Sequence, residues 1–364
     1  MTDLRNTDTL SGKAPVHGGR RDDAARRYRI PKEELLDFSA SINPLGPPAG
    51  VAAAVRGAAL EISHYPEEDA AGLAEQMAAY LDVPACRVVP GNGSIEVLYW
   101  LVRALKPARV LVVEPTFSEY RRACVPAGAA CDSFKLREEE DFALDVRRIR
   151  PAGHDLVFLC NPNNPTGYLV PADEVVWLWR QCRAAGAGLV VDEAFIDFAG
   201  EGASVLTGDA AEGIFVVRSF TKSHALAGLR LGCLVAREDF ALSLREMMPP
   251  WNINVFARAA GRAALADTAY LLEARRVNFR SRFRLFRALA SLPGIDPLPS
   301  EANFILCRLA TAGSDELADC LGRMGIMVRD CRSFPELGNR FIRVAVRSDQ
   351  ENYQLISALK KALA

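Results

Sequence analysis

The stretch IFVVRSFTKSHALAGLRLG, from Ile214 to Gly232, carries a polar and basic segment between two apolar runs. The runs Ile214 to Arg218 and Leu231 to Ala236 are largely apolar at odd and even positions alike, which predicts strands buried on both faces. The polar side chains between them are Ser219, Thr221, Lys222 and Arg230. Hydroxyls and a guanidinium suit a phosphate, and a lysine partly removed from water has the lowered pKa that an imine-forming amine needs. The stretch therefore predicts phosphate binding next to a reactive amine.

Similar apolar runs recur along the chain, separated by segments with helical spacing. The further strand candidates are Arg109 to Val113, Leu156 to Cys160 and Leu189 to Val191. Helical spacing marks Ala70 to Leu81 and Ile95 to Leu105. Buried strands that alternate with helices predict an α/β fold with a mainly parallel sheet covered on both faces.

The C-terminal part has a different pattern, which begins with a long helical stretch rich in Ala, Leu and Arg, Val255 to Ser291. The strand candidates beyond it are Phe304 to Cys307, Met327 to Arg329 and Phe341 to Val346, with a helix from Ser314 to Met324. This pattern predicts a smaller α+β domain. The N-terminal stretch to about Pro31 lacks periodicity and is expected to form an arm. The predicted divisions are the arm with part of the small domain (1–50), the large domain (51–255), and a linking helix with the small C-terminal domain (256–364).

Composition narrows the class of protein. The 364 residues include 44 Lys and Arg against 45 Asp and Glu, a net charge of −1. This balance provides no overall field to attract nucleic acid or an anionic membrane. The nine cysteines show neither C-x-x-C nor zinc-site spacing, so we expect buried, reduced thiols and no metal site. Without an apolar leader or a run long enough to span a membrane, the protein is expected in the cytoplasm.

Three further motifs lie where strands are predicted to end or helices to begin, which is where open α/β sheets bind ligands. NPNNPTG (161–167) follows one strand, and Asp192 closes another, where an ionised carboxylate needs a cation or a donor. GNGS (91–94) precedes a helical run, so its backbone N–H groups could bind an anion. Each motif alone is also explained by a turn or a helix cap. Together with the lysine segment, they specify a pyridine ring that carries an aldehyde and a phosphate.

Several longer motifs identify a family. They are HGG (17–19), DFSASINPLGPP (37–48), HYPEED (64–69), DEAFIDF (192–198), MPPWNIN (248–254) and RVAVRS (343–348). With them, nearly the whole chain resembles the fold-type I pyridoxal-phosphate enzymes of the aminotransferase superfamily. The resemblance implies a large domain with a mainly parallel seven-stranded sheet, and a smaller α+β domain formed by the N-terminal arm and the C-terminal segment.

The resemblance also implies which residues bind the cofactor, pyridoxal 5'-phosphate. Lys222 would form the imine, Asp192 would pair with the ring nitrogen, and Asn164 would bind the ring oxygen. The residues matching the phosphate site are Gly93, Ser94, Ser219, Thr221 and Arg230. Phe117 would lie against the ring face, and Tyr65 would reach the phosphate of a neighbouring subunit's cofactor. A homodimer is therefore implied.

A phosphorylated amino acid is the implied substrate. Arg343 matches the arginine that binds the substrate carboxylate, Arg329 a second anion-binding arginine, and His17 a contact with the substrate phosphate. Asn164 is expected to contact the substrate as well as the cofactor.

The motifs are most similar to those of the threonine-phosphate decarboxylases of cobalamin biosynthesis, relatives of the histidinol-phosphate aminotransferases. This resemblance implies decarboxylation of L-threonine O-3-phosphate to (R)-1-amino-2-propanol O-2-phosphate. The alternative is histidinol-phosphate transamination with 2-oxoglutarate, and the two activities differ in which bond at Cα stands perpendicular to the cofactor ring. Aminotransferases commonly place a tyrosine where this chain has Phe195, a departure that favours the decarboxylase.

Two other classes fit the sequence poorly. A dinucleotide-dependent dehydrogenase would need the third glycine of G-x-G-x-x-G, which GNGS lacks. A cofactor-sensing regulator on the same scaffold would need a DNA-binding domain, and about fifty N-terminal residues without a helix-turn-helix pattern do not supply one.

Overall fold

Strands and helices alternate through most of the chain, as the sequence predicts. The computed structural model describes residues 17–207 and 212–363. The α-helices are α1 (Arg21–Tyr28), α2 (Ala49–Ala58), α3 (Ala71–Leu81), α4 (Ser94–Leu105), α5 (Glu119–Cys124), α6 (Ala172–Ala184), α7 (Phe220–Ser223), α8 (Glu238–Met247), α9 (Val255–Ala266), α10 (Thr268–Ala290), α11 (Ser314–Arg323) and α12 (Asp349–Ala362). The strands are β1 (Leu36–Asp37), β2 (Val88–Asn92), β3 (Arg109–Glu114), β4 (Ala130–Lys135), β5 (Leu156–Cys160), β6 (Gly188–Asp192), β7 (Ile214–Ser219), β8 (Leu231–Val235), β9 (Ile295–Pro297), β10 (Phe304–Leu309), β11 (Ile326–Met327), β12 (Arg329–Asp330) and β13 (Phe341–Ala345).

The large sheet has seven strands in the order β2-β8-β7-β6-β5-β3-β4. Its pairings are parallel from β7 through β6, β5 and β3 to β4, whereas β8 runs antiparallel to both of its neighbours. Neighbouring residues of one strand enter different cores: Val157 and Leu159 pack into the cluster on one face, and Leu156 and Phe158 into the cluster on the other. This two-sided burial explains the continuous apolar runs and confirms the mainly parallel sheet.

Two strands of this sheet have no counterpart among the predicted strands. Strand β4 lies at the sheet edge and none of its residues is fully buried, so its sequence ACDSFK gives no apolar run. Strand β2 includes a proline and a glycine, which sequence patterns associate with turns. Both strands are therefore defined by their partners, β3 and β8, rather than by their own composition.

The smaller domain contains an antiparallel sheet in the order β12-β13-β10-β9, and the two-stranded β1-β11 sheet lies beside it. Phe38 joins its apolar core, which shows that the N-terminal segment packs with the C-terminal part. The fold class predicted from the sequence is thereby confirmed, and the domain boundaries near 50 and 255 stay a prediction. The predicted strand Met327 to Arg329 is instead two short strands in different sheets, because the chain changes partners at Val328. The predicted helical stretch is likewise divided at Asp267, whose side chain caps α10.

The arm was predicted to lack periodic structure, and this is wrong for residues 21–28, which form α1. Only Ala24 of this helix is buried, so no apolar period marks it in the sequence. Contacts with α11 hold it instead, since Arg27 pairs with Asp319 at 2.6 Å and the Tyr28 ring lies against Gly322. Residues 1–16 of the predicted arm lie outside the described residues.

Two further observations concern the whole chain. Among the described residues, no helix combines the length and apolarity that crossing a bilayer takes. All nine cysteines are free thiols, but Cys320 is exposed and Cys86 and Cys131 are half-buried, so the expectation that all are buried is wrong.

Candidate active site

Lys222 lies at the carboxyl-terminal end of β7, on the single turn of α7. Burial, together with the positive charges of Arg343 and Arg230, lowers the pKa of its amine to about 8. Asp192, at the end of the neighbouring strand β6, opposes this shift. Because parallel strands end at the same sheet edge, the two motifs that the sequence separates by thirty residues meet here. A larger share of the amine is therefore neutral and nucleophilic near neutral pH than in an ordinary lysine.

The Asp192 carboxylate is buried and held by two donors. Its Oδ2 accepts a hydrogen bond from Tyr120 Oη at 2.8 Å, and its Oδ1 accepts one from the Ala194 backbone N–H at 3.0 Å. Burial raises the pKa of Asp192, and the Tyr120 hydroxyl, the Ala194 amide and the Lys222 charge oppose that rise. A carboxylate in this environment would be stabilised by a cationic ring nitrogen facing it.

Tyr120 is a functional candidate that the sequence motifs did not identify. It lies on α5, is fully buried, and stacks on Phe158 with ring centroids 5.1 Å apart. Its ring edge also contacts Phe117, the predicted ring-face residue, at 5.8 Å. Tyr120 thus contacts both the Asp192 carboxylate and Phe117. A helix of six residues offers no periodic signal from which this could be read.

The predicted phosphate-binding residues form a cradle around the start of α4. Gly93 has a φ of +84°, and a Cβ on it would lie 2.7 Å from Arg230 Nη2, so glycine lets the guanidinium approach the loop. Helix α4 begins at Ser94, where its free N–H groups favour an anion. The Ser219 and Thr221 hydroxyls are 2.8 Å apart and buried. Gly232 pairs with Ser219 across the sheet, and a Cβ on it would lie 2.4 Å from the Ser94 nitrogen, so the two loops are in contact.

The NPNNPTG turn uses its asparagines in two different ways. The Asn161 amide bonds both backbone groups of Val170, at 2.8 and 2.9 Å, and Asn163 accepts from Thr116 at 2.9 Å. These two asparagines hold the turn together rather than facing a ligand. Asn164 is the one that reaches the site, where its Oδ1 accepts a hydrogen bond from Arg343 Nη1.

Arg343 and Arg329 lie opposite each other on the paired strands β13 and β12. Both guanidiniums are buried; Arg343 lies 4.7 Å over the Phe304 ring, and its Nη2 donates to the Ser39 carbonyl at 3.2 Å. Burial lowers the pKa of Arg343 to about 10, with a further contribution from Arg329, and burial lowers the pKa of Arg329 too. Within residues 17–207 and 212–363, neither guanidinium forms an ion pair with a carboxylate, and Arg343 Nε has no hydrogen-bond partner. The site therefore contains two adjacent buried cations that an anionic ligand would neutralise.

His17 lies at the start of the described chain, beside Phe117 at 5.9 Å between ring centroids. Its Nε2 is 2.9 Å from Glu119 Oε1, and the same carboxylate accepts hydrogen bonds from Arg122 and Tyr99. Burial alone would raise the pKa of Glu119, but the hydrogen bonds from these three side chains lower it to about 2. Glu119 thus stays ionised and anchors the arm next to the ring-face residue. A wide groove open to solvent runs past His17, Ser39, Thr116 and Arg329.

The Phe195 ring packs among apolar side chains. It is buried and its ring meets Phe304 edge-on at 5.0 Å, in a small apolar cluster with Phe198 and Ala302. The Arg343 guanidinium lies over the Phe304 ring, so Phe195 packs against the ring that contacts this guanidinium.

Tyr65 is the one predicted site residue that the structure does not bring to the others. It is 83% exposed and lies against Trp251, with ring centroids 4.8 Å apart. An exposed aromatic pair is compatible with a contact to a second copy of the chain.

Pyridoxal phosphate, the cofactor that the resemblance implies, fits this arrangement on three observations. Glycine at position 93 lets the Arg230 guanidinium approach the free N–H groups at the start of α4, the Lys222 amine has a pKa of about 8, and among the described residues Lys222 is the cation that acts on the buried Asp192. These are the groups that a phosphorylated pyridine aldehyde requires.

Comparisons with known proteins agree with this fit. The family model "Aminotransferase class I and II" matches residues 33–359. The chain is 36% identical over 352 residues to the threonine-phosphate decarboxylase of Salmonella typhimurium, covering 96% of both chains. It is 31% identical over 350 residues to a histidinol-phosphate aminotransferase of Methanococcoides burtonii, covering 94% of both. The crystal structure of the histidinol-phosphate aminotransferase from Clostridium acetobutylicum matches with a TM-score of 0.84 at 28% identity, over 90% of this chain and 98% of that one. The chain therefore belongs to the aminotransferase class I and II family and is a pyridoxal-phosphate enzyme.

Proposed function

We propose that this enzyme decarboxylates L-threonine O-3-phosphate to (R)-1-amino-2-propanol O-2-phosphate. The observation that carries the proposal is the pair of buried arginines, Arg343 and Arg329, near the Lys222 amine and without a carboxylate partner among the described residues. A substrate with a carboxylate and a phosphate supplies two anions and the amine that the cofactor requires. An uncharged or cationic substrate would leave both guanidiniums buried and unpaired.

The cofactor contributes an aldehyde that bonds an amine and a protonated ring that accepts an electron pair. In our proposal Lys222 is the amine that holds it, and Asp192, kept in place by Tyr120, faces the ring nitrogen and stabilises its proton. Asn164 meets the ring oxygen, and Phe117 covers one face of the ring. The phosphate is bound by Gly93, Ser94, Ser219, Thr221 and Arg230. When the substrate amine has displaced the Lys222 amine, Lys222 would be free to return a proton to Cα.

On the substrate side, Arg343 binds the carboxylate and holds it perpendicular to the ring plane, together with Asn164. Its Nε, buried without a partner among the described residues, is a donor available to a carboxylate oxygen. Arg329 and His17 bind the substrate phosphate. Because the substrate carboxylate and the substrate phosphate are each bound in a fixed place, the orientation of the bonds at Cα is fixed too. In our proposal this orientation selects the bond from Cα to the carboxylate for cleavage.

Histidinol-phosphate transamination is the second candidate, supported by the 31% identity to the Methanococcoides burtonii enzyme. Two observations favour decarboxylation over it. The identity to the Salmonella typhimurium decarboxylase is higher, at 36% over 96% of the chain. In addition, Phe195 takes the place of the tyrosine common in aminotransferases and packs on Phe304, so it offers no hydroxyl to a ring oxygen.

Incubating the holoenzyme with L-threonine O-3-phosphate alone and trapping the gas tests this proposal. We expect stoichiometric CO2 and amino-propanol phosphate without any oxo acid. If threonine phosphate gives no CO2 and the enzyme instead transfers the amino group of histidinol phosphate to 2-oxoglutarate, forming glutamate, the second candidate is established.

We further propose that the enzyme acts as a homodimer in which Tyr65 contacts the neighbouring subunit's cofactor phosphate. Support comes from exposed apolar side chains: Leu60 and Ile62, a few residues before it in the chain, are 81% and 66% exposed, and Trp251 lies against the tyrosine. Sedimentation of the holoenzyme should give twice the mass of one chain. Tyr65→Phe should weaken cofactor retention without dissociating the dimer, and a monomer in solution would contradict the proposal.

A further inference from the structure

The segment from Asp37 to Asn43, here called the strap, is bonded at one end to Arg343, the proposed carboxylate-binding residue, and at the other to the segment that carries Lys222. At its beginning it is fixed to the small domain. Phe38 is fully buried; its N–H donates to the Met327 carbonyl at 2.8 Å, and its carbonyl accepts from the Ala345 N–H at 2.9 Å. The next carbonyl, that of Ser39, accepts a hydrogen bond from Arg343.

The conformation of the strap around Ser39 is set by local hydrogen bonds. Asp37 Oδ1 accepts from the Ser39 N–H at 2.8 Å, from Ser39 Oγ at 2.6 Å and from the Ala40 N–H at 3.2 Å. Ser39 Oγ also accepts from the Gly19 N–H at 2.9 Å, which ties the arm to the same point. An aspartate that accepts from the backbone N–H groups two and three positions further on fixes a turn.

At its other end the strap is fixed to the lysine segment through Asn43, which is 3% exposed. The Asn43 N–H donates to the Lys222 carbonyl at 3.1 Å, and Asn43 Nδ2 donates to the Ser223 carbonyl at 2.8 Å. Nδ2 also lies 2.9 Å from the Tyr270 hydroxyl. Four residue steps separate Ser39 from Asn43, which limits the distance between their Cα atoms to about 14 Å.

We propose that Asn43 is a positioning residue that determines reaction specificity, because through the strap it fixes Lys222 relative to Arg343. The inference rests on the proposed function. In decarboxylation the bond from Cα to the carboxylate breaks, its electron pair stays on the cofactor side, and a proton then adds at Cα. In the competing half-transamination the Cα–H bond breaks, the proton adds to the cofactor carbon, and water releases a 2-oxo acid and pyridoxamine phosphate. Which of the two reactions occurs depends on the angle between the substrate carboxylate and the cofactor ring. The strap joins Arg343, which would hold the carboxylate, to Lys222, which would hold the cofactor.

The test compares Asn43→Ala with wild-type holoenzyme and with Asn278→Ala, a matched loss of a buried asparagine on α10. With threonine phosphate as the only substrate, CO2 and accumulated pyridoxamine phosphate are measured together. We expect the share of turnovers ending in pyridoxamine phosphate to rise about tenfold in Asn43→Ala and to stay at the wild-type value in Asn278→Ala. Hydrogen exchange of residues 218–226 should also accelerate about tenfold in Asn43→Ala alone.

Each arm has an outcome that overturns the inference. An unchanged product ratio in Asn43→Ala, with CO2 released normally by the wild type, removes the strap while leaving the proposed function intact. Absence of CO2 from the wild type removes the proposed function and the inference that rests on it. If Asn43→Ala does not fold, Tyr270→Phe removes one partner of Asn43 and should shift both readouts in the same direction by a smaller factor; no shift there also overturns the inference.

Discussion

Arg218 and Arg343 are both buried arginines near Lys222, yet their surroundings differ in one respect. Arg218 donates to Glu193 at 3.3 Å and also to Asp197, which itself binds Ser223 next to the lysine. Burial would lower the pKa of Arg218, but Asp197 and Glu193 hold it above its usual range, whereas burial lowers the pKa of Arg343 to about 10. One guanidinium has its counter-ions built into the fold, and the other has a hydrogen-bonded position without a counter-ion among the described residues. The difference indicates that Arg218 stabilises the structure and that Arg343 binds an anionic ligand.

Arg343→Met should have the largest effect on catalysis. Removing a buried cation that binds a substrate anion should lower kcat/KM for CO2 release by about 10²- to 10³-fold, corresponding to roughly 3–4 kcal/mol. Because a buried charge without a partner costs free energy, the same variant should unfold in urea at the wild-type midpoint or above.

A drop in the unfolding midpoint of Arg343→Met comparable to that of Arg218→Met would erase the contrast between the two arginines. Arg282→Met is the matched control, since Arg282 is buried and pairs with Glu301 at 2.7 Å. That control should lose stability and retain kcat/KM per folded molecule.

Arg218→Met should mainly affect folding. It leaves the Glu193 and Asp197 carboxylates buried without their cation, so we expect a loss of about 3–5 kcal/mol in the free energy of unfolding. Urea titration followed by circular dichroism measures this loss. A change below about 1 kcal/mol would mean that water or other donors satisfy both carboxylates, and the ion cluster would not be a structural element.

The pH dependence of cofactor capture sharpens the contrast further. Since burial, Arg343 and Arg230 lower the pKa of Lys222 to about 8, the neutral amine predominates above that pH. The rate at which apoprotein binds pyridoxal phosphate covalently should therefore rise tenfold per unit below about pH 8 and level off above it. In Arg343→Met the midpoint should move to higher pH, because a positive neighbour is lost. A midpoint that stays in place would show that Arg343 does not face the amine.

The smallest expected effect is that of Tyr120→Phe. Losing the 2.8 Å hydrogen bond raises the pKa of the Asp192 carboxyl further and weakens its charge toward the ring nitrogen. Cofactor affinity, measured by equilibrium dialysis, should fall about tenfold, corresponding to roughly 1.5 kcal/mol. Tyr99→Phe, which removes a similar bond to Glu119, is the control and should leave the affinity unchanged. Equal affinities in both variants would leave Tyr120 with a packing role only.

The large-domain half of the site was predictable because its chemistry is contiguous in the chain. Strand β5 has the predicted bounds Leu156–Cys160, and Asp192 and Lys222 follow directly from strands buried on both faces. Continuous apolar runs mark where such strands end, and parallel topology brings those ends together.

The supporting residues could not be predicted, because their roles depend on contacts distant in sequence. Tyr120 meets Asp192 across 72 positions, and Asn43 meets Ser223 across 180. Tyr120 belongs to none of the motifs, and the motif that contains Asn43 does not show which residues its side chain contacts. The same reason applies to α1, whose Arg27 pairs with Asp319 across 292 positions.

The assignment of Lys222 is tested most directly by reducing the holoenzyme with borohydride, digesting it, and locating the cofactor mass by peptide mass spectrometry. We predict a single modified peptide that contains Lys222. A modified lysine elsewhere, or no covalent cofactor in an active preparation, would contradict it.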